Sequence, residues 1–264
     1  MKRQNMFAWP LLTLLIAMMP LVTQAKEDRQ GYLPPDAVDI LKILPPAPVQ
    51  GEARYEADRA IYKATRHFVG SPRWAMATND VKLSTPALMR DFSCSAGLAL
   101  TLETAPHLAH LMDMARNDTG RGAGIAKDYY KRLRPFQIDA GEGETCQAPI
   151  ELANSYDYPS GHTTMGWTWA TLLAELVPEQ ANAILARGRA FGESRIVCGV
   201  HNNSAVEAGR LTAASILAVV HTTPAFQADF AAAKAELAAL RVNNQAPQPQ
   251  GCAEEAGLVA LPVY

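Results

Sequence analysis

Apolar positions along the chain recur at helical spacing and nowhere alternate as they would in a strand. In residues 53–69, Ala57, Ile61, Ala64 and Phe68 fall on one stripe. Residues 86–102 form a long stretch rich in Ala and Leu, and Pro106 opens a further helix through Arg116. Gly124 to Leu133 reads as another helix, stopped at Arg134-Pro135 because proline disfavours helix in the residue before it. Helices follow at about 162–177, 179–197, 204–221 and 225–241, with Pro178 and Pro224 at the breaks. Shorter pieces are expected at 37–44 and 74–82. Residues 136–158, which hold Gly141, Gly143 and Cys146, show no period and read as a loop. The fold class is therefore all-α. The expected organisation is a leader over residues 1–25, a proline-rich arm over 26–52, a helical domain over 53–242 and a loose tail over 243–264.

The leader carries its own signal. Lys2 and Arg3 precede an apolar stretch from Phe7 to Val22, followed by Thr23-Gln24-Ala25, the pattern of a secretory signal peptide cut after Ala25. The stretch is short for a membrane span and contains Pro10 and Pro20, so the mature chain is expected to be soluble and exported, with no membrane attachment, in a bacterial periplasm. Losing Lys2 and Arg3 takes the formal charge from −2 to −4, because the leader holds no acid. That balance gives no basic excess to hold a nucleic acid polymer. Cys94, Cys146, Cys198 and Cys252 suit an oxidising compartment and allow three full pairings, and no CxxC or His/Cys cluster points to a metal.

The candidate chemistry centres on Tyr158-Pro159-Ser160-Gly161-His162, the lead-in to an apolar helix. Ser160 suits an N-cap, and the residues after it leave N–H groups at the helix end, where the donors and the dipole favour an anion. His162 there can exchange a proton near neutral pH. Lys127 and Arg134, seven apart, are read as two turns of one helix and so share a face; with Lys131 and Arg132 also there, the bland alternative for these residues is a solvated basic face. The helix after His162 runs out roughly 23 Å at 1.5 Å per residue, and the next one returns about as far. Arg195 is thereby expected beside Ser160 and His162, and Cys198-Gly199-Val200 delivers His201 to the same mouth. Two imidazoles, three cations and two helix ends make an anion site with proton-transfer capacity, which suits phosphoryl transfer. Glu103 and His107 read as capping or surface residues, and Trp167, Trp169, Met112 and Met114 as packing.

Lys127…Arg134-Pro135, Pro159-Ser160-Gly161-His162 and Ser194-Arg195…His201 together resemble the class A bacterial non-specific acid phosphatases of the type 2 phosphatidic acid phosphatase superfamily, which also includes vanadium haloperoxidases. The resemblance runs from about Tyr32 to Leu240. It implies an all-α domain, often a homodimer, acting on small-molecule phosphomonoesters without a metal or other cofactor. It implies that His201 is a nucleophile forming a phosphohistidine and His162 the general acid. Lys127, Arg134, Arg195, Ser160 and the Gly161 amide would bind the phosphate oxygens, and vanadate would inhibit. The family pattern ends in an Asp four residues after the nucleophile, whose carboxylate holds the far ring nitrogen; here that position is Ala205. Glu207 is on the wrong face of the helix to replace it, and Ser204, Asn202 or a water would do so only partly. Catalysis is thus expected to be impaired. The readings this leaves are a slow phosphatase using another partner for His201, a phosphate-ester-binding relative without turnover, or an introduced substitution at Ala205. A vanadate-dependent haloperoxidase ranks below these. Cys146 paired with Cys198 is the expected disulfide, since it would cross-link two segments of the site.

Overall fold

The computed structural model describes residues 30–139, 143–242 and 248–264. The leader expected over residues 1–25 lies outside them, as does the tail stretch 243–247. Among the described residues there is no strand, and the α-helices are α1 (Ala53–Ala64), α2 (Pro72–Asn79), α3 (Thr85–Ala96), α4 (Pro106–Tyr130), α5 (Pro135–Ile138), α6 (Gly161–Leu176), α7 (Ala181–Val197), α8 (Asn203–Val220), α9 (Pro224–Val242) and α10 (Cys252–Ala260). No helix among the described residues is long and apolar enough to cross a membrane.

The core is built around α6, whose sequence is apolar on almost every face, the mark of a helix enclosed by neighbours. It packs against α4, α7 and α8. Trp169, Leu172 and Leu173 of α6 meet Phe92 of α3, Phe191 of α7 and Leu111 of α4, all with no exposed surface. The α6–α7 pair is an antiparallel hairpin that turns at Pro178–Gln180, as expected from the break there. Its two helices lie so close that a Cβ on Gly188 would sit 2.3 Å from the Cβ of Ala170. This close contact fixes the register in which Arg195, at the end of α7, returns to His162, at the start of α6.

Several expected boundaries shift. The two helices read at Pro106–Arg116 and Gly124–Leu133 are one, α4, and of the glycines between them Gly122 serves packing: a Cβ there would meet Ile216 Cδ1 at 2.4 Å. α4 ends at Tyr130, where Lys131 turns left-handed at φ 48°. Arg134 therefore does not share a helix with Lys127; it lies beyond the turn, at the N-cap of α5. The piece expected at 37–44 is a single 3₁₀ turn at Ile40–Lys42 within an otherwise extended arm. That arm is tied to the domain by Tyr32 and Leu33 N–H groups on Asp118 and by the Tyr158 hydroxyl on the Pro45 carbonyl. The tail read as loose contains α10, held by a Cys94–Cys252 disulfide and by Arg189 donating to the Val259 carbonyl.

Candidate active site

Ser160 caps α6 as expected, its hydroxyl accepting from the Thr163 N–H at 3.3 Å and from the Thr163 hydroxyl at 3.0 Å. Its own N–H donates to the Ala205 carbonyl at 2.9 Å, joining the start of α6 to the start of α8. The approach is close enough that a Cβ on Gly209 would lie 2.7 Å from the Ser160 carbonyl oxygen. On the other side, a Cβ on Gly161 would lie 3.8 Å from Lys127 Cε, so the lysine stem lies over the helix start. Lys127 Nζ donates to the Tyr156 carbonyl in the loop before the cap.

His201 is buried. Its Nε2 faces Arg134 NH1 at 3.0 Å. A guanidinium can only donate, so Nε2 carries the lone pair and Nδ1 the proton. That Nδ1–H donates to Asp157 Oδ1 at 2.9 Å. Arg134 is itself fixed from Nε to the Ser155 carbonyl, from NH1 to the Val200 carbonyl and from NH2 to the Ser155 hydroxyl. Arg195, with no exposed surface, donates from NH2 to Gln147 Oε1 at 2.6 Å, while its Nε and NH1 are buried without a protein partner. Unpaired buried donors on a cation are costly unless something with lone pairs meets them. His162 Nε2 donates to the Val81 carbonyl at 3.1 Å, which leaves Nδ1 as the nitrogen that titrates. Ser194 is used elsewhere: it donates to Asp80 and accepts from Arg73, within the buried network beneath α7.

The electrostatics tie these groups into one cluster. Burial, then Arg134 and Arg195, push Lys127 down to about 7, against a smaller pull from Asp157. Burial lowers Arg134 to about 10. Burial and Arg134 together lower Arg195 to about 9. His162 is driven well below its ordinary value by burial and by Arg195, and His201 by burial and by Arg134, Lys127 and Arg195. Each imidazole thus feels cations from distant parts of the chain, and His162 also feels His201. Electrostatic coupling thus links Lys127, Arg134, Arg195, His162 and His201 in one cluster beside the capped start of α6, where Ser160 and Gly161 lie. Buried positive charge with unpaired donors fits a small anion, and two imidazoles of lowered proton affinity lie in the same cluster.

Two residues are not evident from sequence. Asp157 supplies to His201 the carboxylate that the family pattern would put at Ala205; the substitutes Ser204 and Asn202 instead bind Asp58 and Asp157. Arg132, expected on a solvated face, is buried and bridges Asp58 and Asp157. The available signal for Asp157 is its place two residues before Pro159, in an aperiodic loop that also holds Asp139, Glu142, Glu144 and Glu151. Cys146 pairs with Cys198, the expected bond, and so anchors the loop bearing Gln147 beside Arg195.

Comparison with known proteins matches residues 111–228 to the PAP2 superfamily. The chain is 39% identical over 215 residues to an acid phosphatase of Zymomonas mobilis, covering 81% of each chain. It is 35% identical over 206 residues to a non-specific acid phosphatase of Providencia stuartii, covering 78% of this chain and 83% of that one. It is also 34% identical over 230 residues to a non-specific acid phosphatase of Salmonella typhimurium, covering 84% of this chain and 91% of that one.

Proposed function

The chain belongs to the PAP2 superfamily, among its bacterial non-specific acid phosphatases, and on that premise we propose that it hydrolyses small phosphomonoesters through a phosphohistidine on His201. The observation that carries this reading is the His201 tautomer, with Nδ1–H on a carboxylate and the Nε2 lone pair beside Arg134. Nε2 attacks phosphorus, the N–P bond forms, and the P–O bond to the alcohol breaks. The Nδ1 proton of protonated His162 goes to the departing oxygen. Water then attacks phosphorus, His162 takes its proton, and the N–P bond breaks to release phosphate. Arg195, Arg134 and Lys127 hold the non-bridging oxygens, whose charge they meet with donors already fixed in place.

The acid preference follows from the same charges. Burial, then Arg195, hold His162 well below its ordinary value in the free enzyme, so the fraction able to give a proton falls as pH rises through that lowered value. His201 stays neutral above its own lowered value and remains nucleophilic. We place the enzyme in the periplasm, on the strength of the leader pattern and of two disulfides that need an oxidising compartment. The test is hydrolysis of p-nitrophenyl phosphate by purified protein from about pH 4 to about pH 8. Turnover with its maximum below neutrality is expected. Tight phosphate binding with no turnover across that range would instead describe a binding protein.

A further inference from the structure

We infer that Asp157 is the positioning carboxylate of His201, in place of the family Asp missing at Ala205, so that the Ala205 chain is not a disabled relative. The inference rests on the reading of His201 as nucleophile. The contacts of Asp157 are all donors. Oδ1 accepts from His201 Nδ1 at 2.9 Å and from the Asn202 N–H at 3.2 Å. Oδ2 accepts from Asn202 Nδ2 at 2.9 Å and faces Arg132 NH1 at 3.3 Å. A protonated carboxyl would find no acceptor among them, so this side chain works as the anion. It has no exposed surface, and its backbone N–H is fixed on the Arg132 carbonyl at 2.9 Å.

A further layer holds this arrangement in place. Arg132 donates to Ser204 Oγ and Asp58, and Asp58 accepts from the Ser204 N–H at 2.7 Å, at the first turn of α8. The carboxylate thus reaches the imidazole from the loop before the α6 cap rather than from α8. Ala205 takes the opposite character. It is fully buried in a small apolar cluster with Ile40, Leu44, Ala126, Tyr158 and Ala208. A carboxylate there would be stripped of water and would add a second negative charge near Asp157. The two positions behave as alternatives: where the loop supplies the anion, the helix position is free to be apolar.

The roles can be separated by kinetics. Asp157→Asn keeps the shape but replaces an acceptor by an amide that can turn its NH₂ toward Nδ1, fixing the wrong tautomer. In the triad of a serine protease, the same change costs about 10⁴ in kcat. For this protein a fall in kcat of roughly 10²–10⁴ is expected, with the inhibition constant of inorganic phosphate changed less than about threefold. A merely structural role would lose both together. Ala205→Asp is expected to give no gain in kcat, because Nδ1 already has its anion. His201→Ala, abolishing turnover, checks the reading beneath. An inactive wild type would sink that reading. With an active wild type, Asp157→Asn retaining kcat within about threefold, or Ala205→Asp raising kcat tenfold or more, would overturn the assignment of Asp157 alone.

Discussion

Arg195→Met should separate function from stability in opposite directions. Arg195 is wholly buried, and two of its three guanidinium nitrogens have no protein partner. Burial and Arg134 hold it down to about 9 from an ordinary 12.5, which at about 1.4 kcal/mol per tenfold change makes its charge cost on the order of 5 kcal/mol in the fold. Methionine removes that cost and forfeits the single charged hydrogen bond to Gln147, worth about 1.5–3 kcal/mol. The net is a stabilisation of about 2 kcal/mol, or a rise in Tm of roughly 4–8 °C for a chain of this size. On the functional side, two charge-assisted hydrogen bonds to phosphate oxygens disappear, about 3–6 kcal/mol of transition-state binding. That predicts a fall in kcat/KM of about 10²–10⁴. Thermal unfolding and p-nitrophenyl phosphate kinetics on the same preparation measure both. A variant that keeps its activity within tenfold while its Tm drops would show Arg195 to be a structural arginine, and the phosphate cradle drawn above would be wrong.

Lys127 sits near 7, so its hold on phosphate should weaken as pH rises past neutrality, and Lys127→Arg should flatten that step; inhibition by inorganic phosphate followed from about pH 6 to about pH 8.5 in both proteins lets the ligand's own titration cancel. His162 and His201 both bind protons less readily folded than unfolded, so below about 6.5 the unfolded chain takes up more protons than the native one and stability must fall as pH falls. Melting curves should show this decline, and inorganic phosphate should reduce it by meeting the added charge; a Tm that rises on acidification would refute the lowered proton affinity of both rings. Gly188→Ala forces a methyl to within 2.3 Å of Ala170 Cβ and should cost about 1–3 kcal/mol, a loss of roughly 3–10 °C in Tm, because the α6–α7 hairpin cannot part without moving Arg195.

Much of the fold and of the site is legible in the sequence, and the gaps have physical causes. Apolar stripes and the prolines at 178 and 224 locate the helices of the core, since burial of one face is a local property of sequence. Helix lengths alone bring Arg195 back to His162. Periodicity fails where a residue's role is set by what it meets in space. The glycines of α4 look like a break, yet the helix runs through them and Gly122 makes room for Ile216, while Lys131 looks like a helix interior but adopts a left-handed turn. Arg132 counts as surface charge because nothing in a charge tally says that Asp58 and Asp157 enclose it. Asp157 is hidden because spacing along the chain points outward from His201, whereas the partner arrives from a segment 44 residues earlier. The tail reads as loose for the same reason: Cys94, which holds it, lies 158 residues away.

The central claim is a covalent bond between phosphorus and His201. Rapid mixing with excess substrate, quenching in alkali that preserves phosphoramidates, and peptide mass spectrometry measure it directly. Phosphate is expected on the peptide carrying His201, more of it in His162→Ala, which lacks the proton carrier for both steps, when an activated ester such as p-nitrophenyl phosphate is used, and none in His201→Ala. Steady turnover with no phosphate on His201 at any time, or phosphate found on another residue, would contradict it.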